Sequence, residues 1–151
     1  MLIVAPSNQL LLIKSHKSSD RWTVPGGHIE FGERVEDAVR REAREETGLE
    51  VHPTRLLIVQ DLISPNPYHE GGHFVCLYYL CQTTNPQVKL DGRELQEYHW
   101  ADLDEAFEMP LTSYARILLA NYVGELAGEE LAKRMHLTHE SANFNARSAD
   151  A

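Results

Sequence analysis

Glu42, Glu45 and Glu46 crowd the end of one short segment, "RREAREETGLE", with Arg40, Arg41 and Arg44 among them. On a helix, carboxylates spaced i, i+3 and i+4 share a face and repel one another. They also sit near a helix C-terminus, where the macrodipole disfavours anions. A hard divalent cation resolves the conflict, because it takes oxygen ligands and neutralises charge. Mg²⁺ or Mn²⁺ suits carboxylates, and the stretch holds no thiolate or imidazole to draw a softer metal. The plain alternative is a charged helix end emerging into solvent.

The elements around these acids decide where they point. Residues from about Arg34 to Thr47 read as a helix, with Gly48 as its stop. On a wheel at about 100° per residue with Val35 at zero, Ala38, Val39 and Ala43 form an apolar stripe within roughly 80°. Glu42 and Glu46 land inside that stripe, and Glu45 lands at its edge. Arg40, Arg41 and Arg44 fall on the far side. In the last two turns the core face therefore turns from apolar to acidic. Several local rules broken together, with nothing nearby to compensate, mark a functional site. The Gly26-Gly27 break before the helix lets backbone approach a ligand closely.

The remaining pattern alternates strand and helix signals. "LIVAP" and "LLLIKSH" read as strands joined by a Ser7-Asn8 turn, and "RWTVPGG" as a short strand. "EVHPTRLLIVQDLIS" and "HFVCLYYLCQT" are long β-type runs, with the loop "PNPYHEGG" between them. After a second polar loop, "EYHWADL" is a further strand. "TSYARILLANYVGEL" is a second helix, followed past Gly128 by a short helical piece to Met135 and a loose polar tail. The sum is one α/β domain, residues 1–128, with residues 129–151 as a helical segment and tail.

Composition narrows the partners. A net charge of −9 argues against a nucleic-acid polymer but not against a small phosphate ligand bridged by a cation. No stretch approaches ~18 apolar residues, so no membrane partner is expected. "MLIVAPSNQ" lacks the basic region of a secretory signal, which places the chain in the cytoplasm. Cys76 and Cys81 on one strand would lie roughly 16 Å apart on opposite faces, too far for a disulfide. A second copy of the chain, as a homodimer, is the one macromolecular partner left open.

Gly27, Glu33, Arg41-Glu42-Ala43, Glu45-Glu46 and Gly48-Leu49 stand at the spacing G-x5-E-x7-R-E-U-x-E-E-x-G-U. This resembles the Nudix box, and the flanking "WTVPGG" and "EYHWADLDEA" are similar to the family as well, so that the likeness spans about Leu2 to Tyr122. The resemblance implies the Nudix fold, an α/β/α sandwich with a mixed β-sheet. It implies Mg²⁺- or Mn²⁺-dependent hydrolysis of a nucleoside diphosphate linked to another moiety. Glu42, Glu45 and Glu46 match the metal-binding and base carboxylates, with the Gly26 carbonyl as a backbone ligand. Arg41 matches the arginine that orients them, and Glu33 its structural partner. Gly27 and Gly48 are the structural glycines of the motif. The box opens early, at residue 27, so the first strand is expected to be short or to have a start upstream.

The resemblance also bears on the substrate. Family members that hydrolyse ADP-ribose often keep a proline sixteen residues after the box, and Pro65 stands there. ADP-ribose is therefore the expected substrate, with an NTP or dNTP next and a non-catalytic nucleotide sensor last. An acid from the second loop often adds a metal ligand or the base, and Glu97 is preferred over Glu94 for it. Trp22 and Phe74 are candidates to touch the substrate, beside Pro65 and Glu94, as is Tyr78.

Overall fold

The computed structural model describes residues 1–16, 18–63, 73–90, 92 and 95–147, with backbone alone for 63 and 131–147. Its elements run in the order β1 (Leu2–Val4), β2 (Leu10–Ser15), α1 (Val35–Thr47), β3 (His52–Ile63), β4 (His73–Gln82), β5 (Leu95–Ala101), α2 (Leu103–Glu108) and α3 (Ser113–Arg147). The five strands form one mixed sheet in the order β3-β4-β1-β2-β5. β1 pairs parallel with β4, while β1–β2, β2–β5 and β3–β4 are antiparallel. The class is α/β, as the sequence pattern implies.

Alternation along the short strands covers both faces of the sheet. Ile3, Leu11, Ile13 and Cys81 join a buried cluster with Val39 and Ala43 of α1. Their neighbours Leu2, Leu10, Leu12 and Leu80 are buried too, as expected of strands covered on both sides. Cys76 and Cys81 are free thiols, and burial pushes that of Cys81 up to about 11.

Three elements differ from the sequence reading. "RWTVPGG" is not a strand but two isolated bridges, Thr23 to Ile13 and Trp22 to Leu111. Pro25 has no amide to extend a ladder. α2 was not foreseen, although Asp102 and Glu105 form a reciprocal capping box at its start. α3 continues through Gly124 and Gly128 to Arg147, rather than breaking at Gly128. A glycine within a helix is unfavourable by only about 1 kcal/mol, and "EELAKRM" after it favours helix. The chain divides into two compact units, Met1–Leu119 and Ala120–Ala151. The site described next lies in the first.

Candidate active site

α1 begins after Arg34 and ends where Gly48 turns left-handed, φ 70°, with its N–H donating to the Arg44 carbonyl. The apolar stripe lands where the wheel puts it: Ala38, Val39 and Ala43 are buried. Past it, the stripe meets the segment before the helix. The Gly26 N–H donates to Glu46 Oε2 at 2.9 Å, across twenty residues of chain. A Cβ on Gly27 would overlap the Glu42 carboxylate, so glycine is what lets that carboxylate lie where it does. Glu42 and Glu46 therefore bracket the Gly26-Gly27 peptide, while the Glu45 carboxylate stays 59% exposed.

Arg41 ties the acids together. Its Nε and Nη2 donate to the two oxygens of Glu33, each at 3.0 Å, in the forked geometry that suits guanidinium and carboxylate. Nη2 also donates to the His28 carbonyl at 2.8 Å, and Nη1 to Glu42 at 2.9 Å and Glu45 at 3.3 Å. The wheel sends Arg41 to the far side of the helix, and this is a correction: the long side chain wraps back, with 22% of it exposed. Hydrogen bonding from Arg41, with help from the Glu30 amide, holds Glu33 below the usual carboxylate range. The same bonds, from Glu33 first and Glu42 second, hold Arg41 firmly protonated.

Beside these groups lies a cavity of about 540 Å³. Gly26, Gly27 and Glu42 line one part of it, and Phe74, Tyr78 and Tyr114 bring aromatic rings to the rest. It runs along β4, whose residues 73–79 extend beyond the pairing with β1 that begins at Leu80. Small-molecule sites are commonly apolar clefts of roughly this size with a few polar groups at one place.

A family model described as "NUDIX domain" matches residues 1–122. The chain belongs to the Nudix family. "Nucleoside triphosphatase NudI" of Escherichia coli K12 is 31% identical over 102 residues, which cover 64% of this chain and 72% of that protein. A solved MutT Nudix hydrolase from Burkholderia pseudomallei superposes with a TM-score of 0.65 at 30% identity, covering 80% of this chain and 95% of that one. The Nudix domain of Shewanella oneidensis NrtR, solved with ADP ribose, gives a TM-score of 0.66 at 19% identity, covering 83% and 84%. That last likeness speaks to the fold alone. The fold is the Nudix fold, and the protein is a Nudix pyrophosphohydrolase acting on small nucleotide compounds.

Nudix hydrolases generally need a divalent metal, and the residues present can be tested for one. Among the described residues, no three His, Cys, Asp or Glu side chains gather around a common point. Arg41 holds Glu42 and Glu45, and the Gly26 amide holds Glu46. The donor chemistry nonetheless fits. All the groups are oxygens, which a hard cation prefers. The absence of a Cβ at Gly27 lets the Glu42 carboxylate reach the backbone. Glu45 is exposed enough to turn towards the other two. It is the N–H of Gly26 that is engaged here, on Glu46, and not its carbonyl.

The other expected residues divide. Phe74 and Tyr78 line the cavity. Trp22 does not: its ring lies under the Lys14 ammonium at 4.9 Å and beside His99. Glu97 is also elsewhere, on β5 directly opposite Lys14 of β2, with its carboxylate 3.6 Å from Nζ. Strand register, not the loop before it, decides its partner. Pro65 and Glu94 lie outside the described residues. His28 and Ile29, which sequence reasoning passed over, line the cavity, and His28 serves Arg41 through its carbonyl. A backbone role leaves no mark on residue type.

Proposed function

We propose that this Nudix enzyme hydrolyses nucleoside triphosphates with Mg²⁺ or Mn²⁺ held by Glu42, Glu45, Glu46 and the Gly26 carbonyl. The observation that carries this reading is the pair Glu42 and Glu46 set against Gly26-Gly27 at the edge of the cavity. A bound cation supplies neutralisation of the diphosphate oxygens and a more acidic water. The chain supplies the rest. Arg41 holds Glu42 at 2.9 Å and reaches the exposed Glu45 at 3.3 Å, and Glu33 and the His28 carbonyl hold Arg41. A carboxylate of the set takes the proton of the attacking water. Positioning and charge stabilisation do most of the work in phosphoryl transfer. The acidic surface does not attract a polyanion, so capture falls to the cation and the cavity. The catalytic domain is residues 1–128, and the chain works as a cytoplasmic protein.

The triphosphate preference is supported by the E. coli nucleoside triphosphatase at 31% identity. A second reading, ADP-ribose, is favoured by Pro65 at its sixteen-residue offset from Leu49. A sensor without catalysis is disfavoured, because every box carboxylate is present. The test is a substrate panel with Mg²⁺, Mn²⁺ or EDTA, read as relative kcat/KM. The expected result is chelator-sensitive turnover with a nucleoside triphosphate ahead of ADP-ribose. A tenfold lead, roughly 1.4 kcal/mol in transition-state stabilisation, decides between the two substrates in either direction. Activity indifferent to EDTA overturns the metal assignment.

A further inference from the structure

We propose that Phe31 is a specificity-determining residue whose ring stacks on the nucleobase of the substrate. This rests on the nucleotide reading above and names the part of the chain that recognises the base.

Phe31 stands wholly in solvent, on the loop that brings His28 and Ile29 to the cavity but not itself in the lining. A single exposed apolar side chain is ordinary, but a concentration of them marks a binding surface. Here Ile29, Leu62, Phe74 and Val75 are also exposed, and all four line the cavity. Ile29 is two residues from Phe31 on the same loop. Phe74 faces that loop from β4, its ring 6.2 Å from that of His28 in an edge-on arrangement.

The loop that carries Phe31 is pinned. The Glu33 N–H donates to the Glu30 carbonyl and the Glu30 N–H to Glu33 Oε2, both at 3.1 Å, closing a turn around Phe31. Glu33 is in turn gripped by the Arg41 fork that also holds Glu42 and Glu45. The backbone of the turn that carries Phe31 and the carboxylates is thus tied to one hub. A pinned loop loses little backbone freedom when a ligand settles on it. Phe31 stands four positions after Gly27, at most about 14 Å of chain. A nucleotide whose diphosphate lies at Gly26-Gly27 spans that interval.

The polar groups of the turn point to the kind of recognition. The Glu30 amide, the Glu33 carboxylate and the His28 carbonyl are already engaged in holding the loop. What the turn offers a base is a flat apolar face. Stacking of this kind accepts any base but requires one. Phe31 therefore selects for the presence of a base and not for its identity.

The experiment compares Phe31→Ala and Phe31→Tyr with the parent on two substrates. One is a nucleoside triphosphate, and the other is 5-phosphoribosyl diphosphate, which has the sugar and diphosphate without a base. Where the latter is not turned over, its inhibition constant replaces KM. Phe31→Ala is expected to raise KM for the nucleotide about tenfold, with kcat within about twofold. The base-less compound should be unaffected, and Phe31→Tyr should restore the nucleotide KM. An unchanged nucleotide KM, or an equal rise on both compounds, overturns the proposal. Phe31→Trp separates this from failure of the hydrolase reading. Its added fluorescence, over the parent with Trp22 and Trp100, should be quenched by ADP and not by ribose 5-phosphate. That quench without any hydrolysis would leave the base contact standing and the hydrolase reading wrong. No selective quench overturns the base contact whatever the activity.

Discussion

Two regions of this molecule are dense in charge, and they are built differently. At the edge of the sheet, Lys14 of β2 sits 3.4 Å from Asp20 and 3.6 Å from Glu97 of β5, with Trp22 under its ammonium. Close by, His99 meets Glu105 at 2.8 Å. Lys14 serves both Asp20 and Glu97 there, His99 serves Glu105, and the Lys14–Glu97 pair is what antiparallel register puts opposite. At the end of α1 one arginine serves Glu33, Glu42 and Glu45, and Glu46 rests on a backbone amide twenty residues away. The first arrangement is held together by side chains alone. The second has more carboxylate than guanidinium, and two of its acids lie against the Gly26-Gly27 backbone. Charge density alone does not separate the two. An acidic surplus fixed against glycine backbone does.

The comparison is broken most sharply at the surplus carboxylates. Glu42→Gln and Glu46→Gln should each lower kcat by about two or more orders of magnitude, as loss of a base or metal ligand does. The fold should persist, because removing a like charge at a helix end relieves repulsion. Circular dichroism and kcat together check this. Glu36→Gln is the control: Glu36 is exposed on the same helix, 3.5 Å from Arg40, and should stay near parental activity. Full activity in either of the first two variants would return the α1 cluster to the status of the edge cluster.

Gly27→Ala probes the backbone side of the same contact. The new Cβ must displace the Glu42 carboxylate, so turnover should fall at least about tenfold, since small misplacements of a catalytic group are expensive. A double variant with Glu42→Gln should show much less than the product of the two losses, because both act on one carboxylate. Independent, multiplying effects would mean that Gly27 acts on something else.

Arg41→Lys sharpens the comparison further. It keeps the charge and removes the fork. We expect a loss of about tenfold in kcat/KM and a change in the metal concentration needed for half activity. It should also alter the acid limb of stability. Arg41 depresses the Glu33 pKa in the folded chain. The stability this gives is present above the unfolded carboxylate value, about 4.3, and is lost as pH falls through the lower folded value. The parent should therefore lose Tm below about pH 4 more steeply than Arg41→Lys. Parallel Tm profiles would show that the fork contributes nothing to this limb.

Much of the site was legible because two signals coincided. The helical wheel placed Ala38, Val39 and Ala43 inward with Glu42 and Glu46 on the same face, and the motif spacing singled out the same two acids. Gly48 was legible as a stop, because a left-handed residue closes the helix there. Gly124 and Gly128 carried the same residue type with no such turn, and the helix ran through them. Arg41 was misplaced because a wheel locates a Cα and not the end of a long side chain. Glu97 was expected at the site because an acid of this loop often serves the family, and it was preferred over Glu94 because it precedes the "YHW" strand. Its partner depends on how β2 and β5 align, and that register is a property of the whole sheet.

Glu97→Gln should have the smallest effect, and it bears directly on that expectation. The Glu97 carboxylate is 58% exposed, so its pair with Lys14 lies mostly in water. Exposed pairs contribute roughly 0–1 kcal/mol, and Lys14 keeps Asp20 at 3.4 Å when Glu97 is neutral. Neither stability nor the α1 carboxylates should notice the change. Turnover is expected within about twofold of the parent, with Tm moved by only a few degrees. If instead kcat falls about tenfold or more while Tm holds, Glu97 reaches the reacting groups in the working enzyme. The edge cluster would then be a store for a catalytic acid that Lys14 releases. Lys14→Met tells that outcome apart from a local disturbance. Loss of the lysine alone should leave kcat unchanged if Glu97 is only its strand partner, and should raise or lower it if Glu97 moves between the two regions.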